Sequence, residues 1–171
     1  MTPIRKVLLV APDVNLPLAG AQVQEIIRSG LDVTPVLGSV TLTDVTREIG
    51  RAQYDALWIA AHGNESGILL SDGIVESATL TQLVRGQFKP VVINSCSSLQ
   101  PALMLQNEAG CDVVCTQIAL PDVTAYVTAA RFARELAKHG DARRAYAAAR
   151  PGANRTYLYL AGMASDFLAE T

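Results

Sequence analysis

At 171 residues the chain is long enough for one domain with a core that needs neither disulfide nor metal to hold it. Half of the residues are hydrophobic, 18% are charged and the net charge is -2, which gives no electrostatic footing for nucleic acid or an acidic membrane surface. Three cysteines make an odd count, and reduced thiols in the cytoplasm are the natural reading.

The opening MTPIRKVLLVAP carries an apolar run too short to span a membrane and no signal-peptide cleavage region, so Lys6 to Ala11 is read as a first strand. A helix carrying Val23, Ile26 and Ile27 follows and stops at Gly30. Val33 to Leu37 is the second strand. The next helix is expected after Thr43, with Leu42, Val45 and Ile49 on one side and Gly50 behind it. Ala56 to Ala61 is a third strand, and its run LWIAAHG breaks off at His62-Gly63. In GILLSDGIV, Ser71-Asp72-Gly73 separates two short extended runs, which predicts a small hairpin directly after the His-Gly loop.

Leu80, Leu83 and Val84 mark a third helix ended by Gly86, and Val91 to Ser95 is a strand that breaks off at Cys96. Pro101 suits the first turn of a helix running to Gly110. Asp112 to Gln117 is a strand. Ala125, Ala129, Phe132 and Leu136 form the apolar face of a fifth helix that Asp122 can cap. Asp141 to Arg150 makes a short cationic sixth helix, and Tyr157 to Ala161 a last strand. Apolar strands alternating with amphipathic helices imply a parallel sheet covered on both faces, in a single domain spanning 1–171.

In such sheets the carboxyl ends of the strands form the site, and this chain delivers His62 to that edge on one strand and Cys96 on another. A cysteine attacks as its thiolate. A strand-to-helix turn would set a helix N-terminus beside Cys96, and His62 could take its proton and later return it to a leaving amine. The N–H of Gly63, which has no side chain in the way, and that of Cys96 would form an oxyanion hole. Those parts describe peptide-bond hydrolysis through a thioester. Either residue on its own also fits a packing role.

Beyond the dyad, AAHGNESGILLSDGIVESATL followed by VVINSCSS resembles the CHAT domains of the caspase-like (clan CD) cysteine peptidases, relatives of separase. The likeness runs on through TQIALPDVTAYVTAARFARELAKHGDARRAYAAAR to TYLYLAG. It implies a caspase-like three-layer α/β/α sandwich with a mostly parallel six-stranded sheet, His62 as general base and acid, Cys96 as nucleophile, and Gly63 as an oxyanion donor. It also implies that no side-chain acid need orient the histidine.

Asp122 stands where arginine-specific relatives carry the acidic residue that faces the P1 side chain, so it is read either as a determinant for Lys or Arg or as the cap of its helix. The chain departs from the family where Ala119-Leu120-Pro121 precedes Asp122 in place of a common aromatic, and where Ser95-Cys96-Ser97 replaces Ala-Cys-Glu.

Asp72 is read as a turn residue that could also line the substrate groove. Cys111 and Cys115, on one face of a strand and about 13 Å apart, cannot share a metal or a disulfide and are expected as core thiols. His139 reads as a charge partner at a helix end. No phosphate loop fits, and no metal or other cofactor is expected. The partners expected are a protein or peptide substrate and a separate activating or recruiting protein, with no nucleic acid and no membrane. The runner-up is a catalytically silent scaffold of the same fold, and a weaker third reading is a flavodoxin-like or nucleotide-binding domain.

Overall fold

The computed structural model describes residues 2–12, 17–117, 121–149 and 157–162, apart from the side chains of Pro17 and Asp122. Six strands form the central sheet: β1 (Lys6–Ala11), β2 (Asp32–Leu37), β3 (Ala56–Ala60), β7 (Pro90–Asn94), β8 (Asp112–Thr116) and β9 (Tyr157–Leu160). Their order is β2-β1-β3-β7-β8-β9. All pairings are parallel except the last, where β9 runs antiparallel to β8. Edge strand β2 holds Pro35, which a central strand would not tolerate because proline cannot donate to a ladder on both sides.

Successive side chains on a strand point to opposite faces, and nearly all of those on the central strands are apolar. Leu8, Val10, Leu57, Ile59, Val91 and Ile93 face one core, completed by α2 (Leu42–Arg51), α3 (Ser77–Val84) and α4 (Leu99–Met104). Val7, Leu9, Trp58, Val92 and Val114 face the other, completed by α1 (Pro17–Ile27), α5 (Asp122–His139) and α6 (Ala142–Ala149). There the Trp58 and Phe132 rings meet at a tilt, 5.6 Å between centroids. The result is a three-layer α/β/α sandwich.

Each strand lies within a residue of its expected place, but α2 does not begin as read. Thr41, rather than Thr43, caps it: the Thr41 hydroxyl accepts from the Asp44 N–H at 3.2 Å, and the Asp44 carboxylate accepts from the Thr41 N–H at 2.9 Å. This reciprocal pair satisfies two otherwise orphaned donors, and it holds the Asp44 carboxyl below its ordinary pKa through the Thr41 backbone and side-chain bonds. Gly50 lies inside the helix, which continues to Arg51. Thr41→Ala is expected to cost about 1 kcal/mol and to lower the melting temperature by about 2–4 °C in calorimetry.

The hairpin after β3 gains a strand over the expected two. β4 (Gly63–Asn64), β5 (Gly67–Leu70) and β6 (Gly73–Glu76) make a small antiparallel sheet in that order. Ile68, Leu70 and Val75 pack it onto the first core. The fourth helix also changes pitch, because α4 runs into a π-turn at Leu105–Ala109 before Gly110 ends it at φ 70°.

Candidate active site at the carboxyl edge

Ala60 on β3 pairs with Asn94 on β7, so His62 and Cys96 leave neighbouring parallel strands at the same level, each two residues past that pair. Parallel neighbours stand about 4.8 Å apart. On the strands that lead to them, Trp58 and Ala60 of β3 and Val92 of β7 belong to the core under α5. His62 is exposed and Cys96 half-buried, so the edge presents both to solvent.

A hydrogen-bond clamp brackets Cys96. Thr116 on β8 donates its hydroxyl proton to the Ser95 carbonyl, and its backbone N–H donates to the Ser98 hydroxyl at 3.0 Å. The two hydroxyls meet at 3.1 Å, and Ser98 also reaches the Ile93 carbonyl at 3.4 Å. The chain is therefore pinned at Ser95 and Ser98 while Cys96 and Ser97 stand out between them. Ser97 completes the turn at φ 51°, in the left-handed region where a side chain costs roughly 1–2 kcal/mol. α4 begins one residue after the clamp.

The His-Gly loop is pressed against this turn. A Cβ placed on Gly63 would lie 2.3 Å from the Ser95 hydroxyl oxygen and 2.9 Å from the Gly67 carbonyl, so only glycine fits. In the hairpin sheet the Leu69 N–H donates to the His62 carbonyl at 2.8 Å. That makes Gly63 and Ile68 a non-hydrogen-bonded pair, and the Gly63 N–H points away from β5, off the free edge of the small sheet.

Asp122 opens α5 at the carboxyl end of β8, the strand next to β7. It is the first helical residue and not the cap. The cap position is Pro121, which offers no side-chain acceptor and takes the Ala125 N–H on its carbonyl at 3.1 Å. The capping reading of Asp122 is thereby corrected.

Asp72 lies elsewhere. At the hairpin tip it accepts from the Leu42 N–H at 3.3 Å, and its neighbour Ser71 donates to the Val40 carbonyl at 2.8 Å. The tip therefore sits over the loop after edge strand β2, on the far side of β1 and β3 from β7. Asp72 moors the hairpin to the start of α2 and is not brought together with His62 and Cys96.

Cys111 and Cys115 are buried free thiols in one core, as their spacing implied. Burial pushes the Cys111 thiol up to about 11, helped by the Asp112 charge, and the Cys115 thiol up to about 12. His139 pairs with Glu135 at 3.2 Å on the last turns of α5. Among the described residues no cluster of three or more His, Cys, Asp or Glu could hold a metal ion, and no helix is long and apolar enough to cross a membrane.

Sequence reasoning passed over Asn94 and Tyr157. Asn94 is buried two residues before Cys96, and its side-chain oxygen accepts from the Tyr157 hydroxyl at 2.5 Å. The sign was present: in VVIN, an asparagine stands where every neighbouring strand position is apolar.

The fold thus defines an α/β/α protein in which a histidine and a cysteine each follow the carboxyl end of one of two paired central strands. No protein-family model matches the chain, and no curated protein matches it in sequence. Among solved structures it is similar to the X-ray structure of a secreted C11 cysteine protease from Bacteroides thetaiotaomicron, "iotapain", with a TM-score of 0.49 and 12% identity over 80% of this chain. The matched region is 58% of that protease's chain. A likeness this distant decides nothing about the chemistry of the present edge, which rests on its own geometry.

Proposed function

We propose that the chain is a caspase-like, CHAT-type cysteine endopeptidase acting on a protein substrate in the cytoplasm. The observation that carries this reading is the shared level of His62 and Cys96, each two residues past the Ala60–Asn94 pair on adjacent strands. The Cys96 thiolate attacks the scissile carbonyl, and the protonated His62 gives its proton to the departing amine. Water activated by His62 then cleaves the thioester and restores the thiol. The Gly63 and Cys96 N–H groups stabilise the oxyanion in both steps. Asp122, at the first position of α5, is the residue that would favour Lys or Arg at P1. Recruitment and activation are assigned to surface loops, self-association or a separate protein.

The test is site-resolved iodoacetamide labelling across pH in wild type and His62→Ala. Cys96 is expected to label well below pH 8 and to slow in the variant, while Cys111 and Cys115, with thiols near 11 and 12, stay unlabelled in the native protein. A Cys96 as inert as those two, or one indifferent to His62, would sink the peptidase reading and leave a scaffold of the same fold.

A further inference from the structure

The hydroxyl bonds that clamp the turn after β7 to β8 admit one assignment of protons. A backbone carbonyl only accepts, so the Thr116 hydroxyl proton is committed to the Ser95 carbonyl. In the contact between the Thr116 and Ser98 hydroxyls at 3.1 Å, Ser98 is therefore the donor, with the Ile93 carbonyl at 3.4 Å as its weaker alternative. The Ser98 oxygen in turn accepts from the Thr116 N–H at 3.0 Å. Thr116 is 0% exposed and Ser98 2%, so water does not compete for this circuit.

The carbonyl so held belongs to the same peptide group as the Cys96 N–H. That group is trans, and in a planar trans peptide the C=O and the N–H point in opposite directions. Thr116 ends β8, which lies on one side of β7, while β3 and the His-Gly loop that follows it lie on the other. A carbonyl turned to Thr116 thus turns the Cys96 N–H away from β8, to the flank where the His-Gly loop rests on Ser95. Among the described residues none accepts from that N–H. Ser97, at φ 51°, gives the turn a reason to relax once the clamp is cut. We propose that Thr116 is a positioning residue for the oxyanion hole: by holding the Ser95 carbonyl it keeps the Cys96 N–H aimed to the side of the His-Gly loop, free for a substrate oxygen. This inference rests on the peptidase reading, and it gives Thr116 no part in forming the thiolate.

The experiment compares two reactions of Cys96, each followed by mass spectrometry at that residue. p-Nitrophenyl acetate acylates it: the thiolate sulfur bonds to the acyl carbon, the carbonyl π pair moves onto oxygen, and it returns as p-nitrophenolate leaves. Iodoacetamide alkylates the same thiolate by displacing iodide, and no oxyanion forms. In Thr116→Val, which keeps the shape and removes the hydroxyl, acylation is expected to slow about tenfold, a part of what outright loss of an oxyanion donor costs, while alkylation stays within about twofold of wild type. Thr116→Ser retains a hydroxyl and should recover the acylation rate. Thr81→Val is the control. Thr81 is also buried and donates to the Ser77 carbonyl within α3, so its loss removes the same kind of bond from another element and should move neither reaction.

Equal slowing of both reactions in Thr116→Val would reduce the clamp to general packing, and unchanged acylation would show that the Cys96 N–H does not depend on it. Either result overturns the role of Thr116 while leaving His62-dependent alkylation intact. In the wild type, NMR relaxation of the Cys96 amide nitrogen needs no variant to fold. An order parameter of about 0.85, as in a rigid strand, is expected there, and one below about 0.6 would overturn the proposal. Alkylation that ignores His62 in the wild type would instead remove the peptidase reading, and this role with it.

Discussion

Cys96→Ser and His62→Ala are each expected to abolish peptide-bond hydrolysis by the purified protein, lowering kcat/KM by about 10³-fold or more, while the fold stays intact. The two halves of that expectation have separate causes. His62 is exposed and Cys96 half-buried at the edge of the sheet, so neither side chain supports either core, and melting temperatures should stay within about 2 °C of wild type. The chemistry, by contrast, needs both: serine in place of cysteine is a far weaker nucleophile beside the same histidine, and cysteine without the histidine has nothing to protonate the leaving amine. Because they act in one step, the double variant should be no slower than the worse single. A His62→Ala protein that cleaves at wild-type rate would place the activity outside this edge.

Gly63→Ala carries the second large effect, and here stability and activity should fall together. Its new methyl would meet the Ser95 hydroxyl at 2.3 Å and the Gly67 carbonyl at 2.9 Å, contacts that no side-chain rotation at residue 63 relieves. Forcing the loop outward is expected to cost about 1–3 kcal/mol. It also carries the Gly63 N–H away from the oxyanion, for about a 10²-fold loss in kcat. Ser95→Ala supplies the check. The Ser95 hydroxyl oxygen is buried and has no hydrogen-bond partner among the described residues, so its removal alone should be neutral or slightly stabilising. Combined with Gly63→Ala it should recover part of the lost melting temperature, though not all, because the Gly67 carbonyl remains. Equal melting temperatures for Gly63→Ala and wild type would show that the loop does not rest on Ser95.

What could be read from the residues, and what could not, divides by range. The strands were legible because apolar runs such as KVLLVA and PVVIN have no other stable place than the middle of a covered sheet. Glycines that end helices, Gly30, Gly86, Gly110 and Gly140, all take positive φ as a helix end requires. The start of α2 was misplaced by two residues because Thr41 and Thr43 are chemically alike. Only the bond from Asp44 back to Thr41 separates them, and that depends on where the loop after β2 runs.

At the site, residue types announced His62 and Cys96, and their common level followed from the β3–β7 register, which no single sequence states. The clamp by Thr116 and the Tyr157–Asn94 bond join residues 18 to 63 positions apart. Such contacts are set by the order of strands in the sheet and leave no local mark beyond an out-of-place polar residue.

The hairpin after β3 behaves as a strap with two moorings. At its base the Ser77 N–H and hydroxyl both donate to the Ser66 carbonyl at 2.9 Å, and at its tip Ser71 and Asp72 are tied to Val40 and Leu42. A ribbon fastened at one end would swing, and His62 at its root would sample the swing. Fastened at both, it opens only when the start of α2 lets go, so the amides of residues 67–76 should exchange with deuterium at the pace of that helix end and not at the pace of a surface loop. On that expectation, the segment that carries the histidine is steadied from the β2 edge of the sheet.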